Sequence, residues 1–326
     1  MKIALIIPYF GIFPNYFDLF LRSCEKNSNF TWFIFTDNKE AYNFPNNVKK
    51  IPMEFEECRT LIQSKFDFNI SLETCRKICD YRSAYGYIFE EYIQEYDFWG
   101  YCDVDLIWGD LSKFITEKLL NKYERIYSLG HLSLYKNTYD NNRVFMIPLN
   151  GKLRYKEIFT TSSGSAFDEW YPESINDIYL QEKIPFYKKS ECADIYPYKS
   201  HFVLDCFNPD TRSYHNDDVK NNIFKWENGA VKRYFIQNKE LNNAEYPYVH
   251  LQKRKMDKLV SDDAESFYII PNKFVNADKS EKEMLKIAFI SAPLNFQYFK
   301  VKYSSLKLRL KNNDWSGFID RKIKRD

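Results

Sequence analysis

Apolar and polar positions follow two periods in the N-terminal part of this 326-residue chain. Short continuous apolar runs predict buried strands at residues 2–8, 31–36, 48–53 and 97–102. Between the first two runs, apolar side chains follow Pro14, a residue tolerated in the first turn of a helix. Between the last two, the apolar side chains of residues 81–93 recur at i, i+3 and i+4, which predicts a helix. Strands that alternate with helices predict an α/β fold with a mostly parallel sheet.

The pattern changes after residue 105. It predicts a helix at 110–120 with Asp110 as its N-cap, strands at 125–129 and 143–148, and a helix at 175–182. The region 150–245 is otherwise predicted to be rich in loops. Within it, TTSSGSAFDEWYPES predicts a mobile polar loop of the kind that often carries substrate contacts.

Composition narrows the classes of function. The chain has 47 basic and 45 acidic residues, and its aromatic and basic residues form no one-sided patch, so we expect no nucleic-acid binding. Seven cysteines, odd in number and scattered, predict reduced thiols in a cytosolic protein. The start, MKIALIIPYFG, predicts a first strand rather than a signal peptide, and no run approaches the ~18 apolar residues of a spanning helix.

The segment FWGYCDVDLIWGDL places Asp103 and Asp105 at the predicted end of a buried strand. Ligands of open α/β sheets bind outside the carboxyl ends of strands, and two carboxylates there can bind one hard divalent cation. The sequence therefore predicts Mg²⁺ or Mn²⁺, which would stabilise a diphosphate leaving group. The alternative is that both acids cap the next segment or pair with Lys and Arg.

Four segments carry a resemblance to a known family: KIALIIPYFG followed by FPNYF, FIFTDN, DFWGYCDVDLIWGDL and GHLSLYKN. They resemble metal-dependent, hexosyltransferase-like glycosyltransferases of the GT-A fold, in a bacterial group linked to capsule and other surface-polysaccharide synthesis. The resemblance covers most of residues 1–255. It implies a GT-A-like catalytic domain at 1–255 and a C-terminal extension at 256–326.

The resemblance also implies roles by position. The predicted nucleotide contacts are Pro8, Tyr9, Phe10, Thr36, Asp37, Asp80, Arg82, Asp103 and Lys253. Arg82 suits a diphosphate because a guanidinium matches phosphate oxygens two at a time. The alternatives are turn formation for Pro8 and Asp37, and surface pairing of Asp80 with Arg82.

Related folds often complete the metal site with a His from the C-terminal part, which implies His250 in YPYVHLQKRK as the third ligand beside Asp103 and Asp105. His131 is the next candidate among the histidines. An inverting transferase needs a base to deprotonate the acceptor hydroxyl, and the resemblance implies Asp168 or Glu169 in SAFDEW. The alternative for Asp168 is a capping or loop role.

The expected function is transfer of a sugar from a nucleotide-sugar donor, with UDP as the expected nucleotide, to a glycan or lipid-linked oligosaccharide. Two alternatives stay open: a non-catalytic scaffold with the same fold, and a metal-dependent nucleotidyltransferase. Residues 299–326 hold nine Lys or Arg against three Asp, which predicts peripheral contact with an anionic membrane at the cytoplasmic face. The alternative is a solvated charged tail.

Overall fold

The computed structural model describes residues 1–292 except 218, 220, 253 and 263, together with residue 303. The chain forms two compact units, of which the first is Met1–Glu191 and the second begins at Cys192. The domain division at residue 255 that the resemblance implies stays a prediction. The basic segment 299–326 lies outside the described residues apart from residue 303.

The first unit is built on a seven-stranded sheet with the strand order β3-β2-β1-β4-β7-β6-β8. The strands of this unit are β1 Ile3–Pro8, β2 Phe30–Thr36, β3 Val48–Pro52, β4 Phe98–Cys102, β5 Leu106–Trp108, β6 Arg125–Leu129, β7 Leu132–Lys136 and β8 Phe186–Tyr187. β1 pairs in parallel with β2 and β4, β2 with β3, and β6 with β8, whereas β7 is antiparallel to β4 and β6. The predicted α/β class with a largely parallel sheet is confirmed.

Short helices connect these strands. They are α1 Phe17–Glu25, α2 Phe55–Ser64, α3 Tyr85–Ile88, α4 Glu117–Lys122, α5 Arg154–Phe159 and α6 Ile175–Gln181, with 3-10 helices at Cys75–Ala84, Glu90–Tyr92, Leu111–Lys113 and Asn141–Met146. Capping boxes begin α2 at Glu54 and α6 at Ser174. Asp110 accepts a hydrogen bond from the Ser112 amide, so its predicted capping role is confirmed, although α4 has its own cap at Thr116.

Three predicted elements in this unit differ from the structure. The helix predicted at 110–120 is replaced by the 3-10 helix Leu111–Lys113 and the separate helix α4. The helix predicted at 81–93 is split between two 3-10 helices and the single turn of α3. The strand predicted at 143–148 is wrong, because Asn141–Met146 is a 3-10 helix. The side-chain amide nitrogen of Asn141 donates to the backbone carbonyls of Glu124 and Lys136, and the side-chain oxygen of Asn141 accepts from the Tyr179 hydroxyl. A side chain therefore holds this turn in place.

Strand β4 runs through the densest part of the core. The Trp99 ring stacks on Tyr135 of β7 with 4.4 Å between ring centroids, and its indole nitrogen donates to Asn142. Gly100 is required here, since a Cβ atom would lie 2.3 Å from the backbone oxygen of Ser133. A residue larger than glycine therefore does not fit at this position of β4.

The second unit is mostly antiparallel. Its strands are β9 Ala193–Asp194, β10 Asp205–Asn208, β11 Ser213–Asn216, β12 Asn222–Glu227, β13 Ala230–Gln237, β14 Glu240–Tyr246, β15 Tyr248–His250, β16 Asp257–Leu259, β17 Ser266–Ile270 and β18 Lys273–Asn276, followed by α7 Glu281–Ser291. Six strands form a sheet in the order β14-β13-β12-β17-β18-β16, while β10 pairs with β11 and β9 pairs in parallel with β15.

The prediction of a loop-rich region up to residue 245 is wrong for this part of the chain, because β12, β13 and β14 form two consecutive hairpins. Asn228 and Gly229 turn the first hairpin with φ values of 49° and 82°, and Asn238 and Lys239 turn the second with 51° and 64°. Two central residues with positive φ are typical of the tight turns that match strand twist. No helix among the described residues has the length and apolar character needed to cross a bilayer.

Candidate functional site

The order in which the chain adds strands to the sheet of the first unit reverses between β1 and β4. From β1 the chain continues to β2 and β3 on one side, whereas β4 pairs on the other side, with Ile6 opposite Tyr101. Because the two strands are parallel, they leave the sheet at the same edge, where Pro8 ends β1 and Asp103 follows β4. Crevices at such switch points are the usual ligand sites of open α/β sheets.

Asp103 and Asp105 lie at this edge, and both are partly exposed. Each offers a carboxylate oxygen, and the two atoms lie within 4.8 Å of one another. The Asp103 amide donates to the carbonyl of His131 (3.2 Å), which extends the β4–β7 ladder to the first acid. Oxygen ligands suit hard divalent cations, so this pair could hold a metal ion.

Tyr9 and Tyr16 lie close enough to the acids to be affected by their charge. Burial raises the pKa of Tyr9, and the negative charges of Asp105 and Asp103 raise it further. Burial and then Asp105 raise the pKa of Tyr16 in the same way. The two phenols are therefore neutral at physiological pH.

Arg82 connects the first acid with the predicted base. Its guanidinium forms an ion pair with Asp103, donates to Asp168 Oδ2 (3.0 Å) and donates to the carbonyl of Gly130 (2.8 Å). The ring of Tyr101 lies 5.4 Å from its central carbon. The pairing that the sequence left open as an alternative for the acids is thus present at Asp103.

Gly130 is the point around which this cluster packs. It sits in the turn between β6 and β7, and its amide donates to Glu169 Oε1 (2.9 Å). A Cβ atom here would lie 2.4 Å from that oxygen, 2.9 Å from Asp168 Oδ2 and 3.2 Å from an Arg82 nitrogen. Only a residue without a side chain lets the backbone approach both acids this closely.

Burial changes the chemistry of the two acids. Asp168 is 3 % exposed, and loss of water contact raises its pKa against the lowering effect of Arg82. Burial, together with the negative charge of Asp168, raises the pKa of Glu169 to about 8. A carboxyl group with a pKa in this range can exchange a proton near neutral pH, which general acid–base chemistry requires.

Asp80 lies in the same 3-10 helix as Arg82 but faces other partners. Its carboxylate is 2.7 Å from the Lys77 ammonium and accepts from the amides of Ser165 and Ala166. Lys77 also donates to the carbonyls of Ile158 and Ser163. This buried pair holds the loop that leads to Asp168, and a ribose role for Asp80 stays a prediction.

The segments after β1 and β2 are tied together by the residues predicted to contact the nucleotide. The Tyr9 amide donates to the carbonyl of Phe35, and Asp37 accepts from the amide of Gly11. Thr36 is buried, and its hydroxyl accepts from the amide of Asn38. These contacts join the two segments, while nucleotide contact by Pro8, Tyr9, Phe10, Thr36 and Asp37 stays a prediction.

His250 lies in the second unit, at the end of β15. Its Nδ1 atom is 2.7 Å from Asp194 Oδ1, the same oxygen that accepts from the Gln252 amide at 2.7 Å. His250 and Asp194 are both buried and are directly paired residues of β15 and β9. Lys253, the remaining predicted nucleotide contact, lies outside the described residues.

A family model matches the chain over residues 5–278, a range that includes every candidate site residue. The chain belongs to the family of unknown function DUF6625. A comparison with curated proteins finds no match. Because the DUF6625 description carries no activity, the function of this member has to be argued from its site.

The structure brings part of the predicted set of this DUF6625 protein together. Asp103, Arg82 and Asp168 are in direct contact, and Glu169 joins them through Gly130. Sequence reasoning missed Gly130, Lys77, Asp194 and Gln252. Gly130 directly precedes His131 in the quoted segment GHLSLYKN and could have been noticed, whereas no local signal marks the other three.

Proposed function

We propose that this DUF6625 protein is a metal-dependent glycosyltransferase that uses a nucleotide-sugar donor. The supporting observation is the position of Asp103 and Asp105 at the carboxyl end of β4. This end lies beside the end of β1, where the strand order of the sheet reverses. This is where a nucleotide is expected in an open α/β sheet. A bound Mn²⁺ or Mg²⁺ would neutralise charge on the leaving diphosphate.

The residues of the chain take distinct parts in this proposal. Asp103 and Asp105 supply carboxylate ligands, with His250 as the proposed third ligand. Arg82 keeps Asp103 and Asp168 in fixed positions through two of its nitrogens. Asp168 and Glu169 are the proposed bases for the acceptor hydroxyl, and burial raises the pKa of Glu169 to about 8.

A binding screen tests the donor site. UDP, GDP, CMP and dTDP are each added with and without Mn²⁺, and the melting temperature is recorded. A ligand at one hundred times its Kd stabilises the native state by about 2.7 kcal/mol, which raises the melting temperature by several degrees. We expect a shift with UDP that requires Mn²⁺ and disappears in Asp105→Asn.

Asp110→Asn is the matched control, because it is the same substitution five residues later in a side chain whose oxygen caps a 3-10 helix. It should respond to UDP and Mn²⁺ like the wild type. A UDP response that is equal in Asp105→Asn and Asp110→Asn would refute the assignment of Asp105 as a metal ligand.

Product analysis separates the competing activities. A glycosyltransferase incubated with UDP-sugar and Mn²⁺, but without an acceptor, should slowly release UDP and free sugar. A nucleotidyltransferase would release diphosphate instead. Metal-dependent UDP binding with no turnover of any UDP-sugar would favour the scaffold alternative.

We propose a glycan or lipid-linked oligosaccharide as acceptor, with membrane contact through residues 299–326. The support is the basic composition of that segment. Deletion of residues 299–326 should reduce binding to vesicles that contain anionic lipid while leaving donor hydrolysis unchanged. Equal vesicle binding by the full chain and the deletion variant would refute the membrane role.

A further inference from the structure

Two polar side chains of the second unit converge on one carboxylate oxygen. His250 Nδ1 and Gln252 Nε2 each lie 2.7 Å from Asp194 Oδ1. Asp194 is 4 % exposed and His250 is 8 % exposed, so this contact is largely shielded from water. An ionised carboxylate has no hydrogen to donate, and the imidazole must therefore donate from Nδ1.

The backbone fixes this contact. Asp194 and His250 are directly paired in the parallel β9–β15 ladder, and the Ile195 amide donates to the His250 carbonyl at 3.0 Å. Gln252 follows in the left-handed region, with φ at 47°, which is uncommon for a residue that carries a side chain. This turn brings the Gln252 amide onto the same oxygen that accepts from His250.

The hydrogen bond at Nδ1 determines what Nε2 can do. A neutral imidazole carries one hydrogen, so a ring that donates from Nδ1 has an unprotonated Nε2. Histidines that bind metals commonly donate their other ring hydrogen to a carboxylate, which selects the tautomer and orients the ring. The Gln252 amide holds the Asp194 carboxylate in the orientation that meets the ring.

We propose that Asp194 is a positioning residue that, together with Gln252, fixes His250 in the Nδ1–H tautomer and makes Nε2 its metal-ligating nitrogen. The inference rests on the proposed function, in which His250 binds the divalent cation. It adds that the cation is bound through one specific ring nitrogen, and that two residues outside the predicted ligand set determine its affinity.

The tautomer can be measured in the full-length wild-type protein without a metal or a substrate. We would label the four histidines with ¹⁵N and record long-range proton–nitrogen correlations at pH 8. His250→Gln identifies the His250 signals, and the exposed His215 is an internal reference. We expect an unprotonated Nε2 on His250. A protonated Nε2, in a neutral or a charged ring, would overturn the inference.

Metal affinity is the second readout. Each variant is titrated with Mn²⁺ alone, and the electron paramagnetic resonance signal of the free ion is recorded at each step. The titration gives the Kd of Mn²⁺ for each variant. Asp194→Asn should weaken Mn²⁺ binding by roughly 10- to 100-fold, the usual effect of removing such a partner. Asp257→Asn, at an exposed aspartate of β16, is the matched control and should leave Kd unchanged.

The outcomes separate this inference from the proposed function. Wild-type affinity in Asp194→Asn, with binding lost in Asp105→Asn, would overturn the positioning role and leave the metal site intact. No Mn²⁺ binding by the wild type would overturn both. If Asp194→Asn does not fold, Gln252→Ala replaces it in the titration, with a smaller weakening expected and an unchanged Kd counting against the inference.

Discussion

Arg82 forms an ion pair with Asp168, although the two residues lie 86 positions apart in the sequence. The Asp168 side chain is 4 % exposed, so this carboxylate depends on the guanidinium for its charge partner. The same guanidinium also bonds Asp103, and the pair therefore links the predicted base to the strand-terminal acids. The stability of the first unit should depend on this contact.

Arg82→Met should lower the free energy of unfolding by about 3 to 5 kcal/mol, because removing one partner of a buried pair leaves the other charge uncompensated. Arg82→Lys should fall between the wild type and Arg82→Met, since an ammonium cannot reproduce the fork geometry of a guanidinium. Urea denaturation measures both. Arg76→Met, at an exposed position of the same 3-10 helix, is the control and should change stability little. Equal stability of the Arg82 and Arg76 variants would contradict the expected role of the ion pair.

Gly130→Ala should destabilise the protein by about 1 to 3 kcal/mol, the usual cost of overpacking. The new methyl group would lie 2.4 Å from Glu169 Oε1 and would push both acids away from the turn. Gly164→Ala is the matched control, since no atom lies within 4 Å of a Cβ there. Thermal unfolding would compare the two variants, and a similar melting temperature for both would argue against close packing at Gly130.

Stability should depend on pH through Glu169. The pKa of its carboxyl group is about 8 in the folded protein against an ordinary 4.5, so the folded state binds more protons than the unfolded state between these values. The contribution of Glu169 to the free energy of unfolding is therefore fully present below about pH 4.5 and is lost as the pH rises to about 8. Urea unfolding of wild type and Glu169→Gln across this range should show a smaller decline in the variant. Parallel pH profiles would contradict the raised pKa.

Lys77→Met should cost about 3 to 5 kcal/mol, because it leaves the buried Asp80 carboxylate without its cation. The double variant Lys77→Met with Asp80→Asn should recover part of this loss, since no charge is then left unpaired. Lys39→Met, at an exposed position, is the control.

Asp80→Asn alone separates two roles of Asp80. A ribose contact predicts weaker UDP binding at normal stability, while the loop contact predicts lower stability.

The strands of the first unit were predictable from sequence because parallel strands buried on both faces appear as continuous apolar runs. The 3-10 helix at Asn141–Met146 was not, since its apolar run resembles a strand and only the amide contacts of Asn141 reveal the turn. The Asn-Gly pair is a signal for a tight turn between two strands, so the hairpin at Asn228 and Gly229 was predictable from sequence.

The candidate site also has a part that was predictable from sequence and a part that was not. Asp103 and Asp105 were predictable because a strand and its terminal acids form one local pattern. The contacts of Arg82 with Asp168 and of Asp194 with His250 join residues 86 and 56 positions apart. Pairings of this kind depend on which strands become neighbours, and a single sequence without pairing information does not contain that.

The antiparallel ladder between β4 and β7 has a thermodynamic consequence for ligand binding. It continues through the Asp103 amide to His131, the residue next to Gly130, whose backbone meets Arg82 and Glu169. Folding itself therefore restricts the first acid and the Arg82 cluster, and the entropy of ordering them is lost before any cation or nucleotide arrives. Under the proposed function, binding at Asp103 should then involve little further loss of backbone freedom, which is typical of a preorganised rather than an induced site.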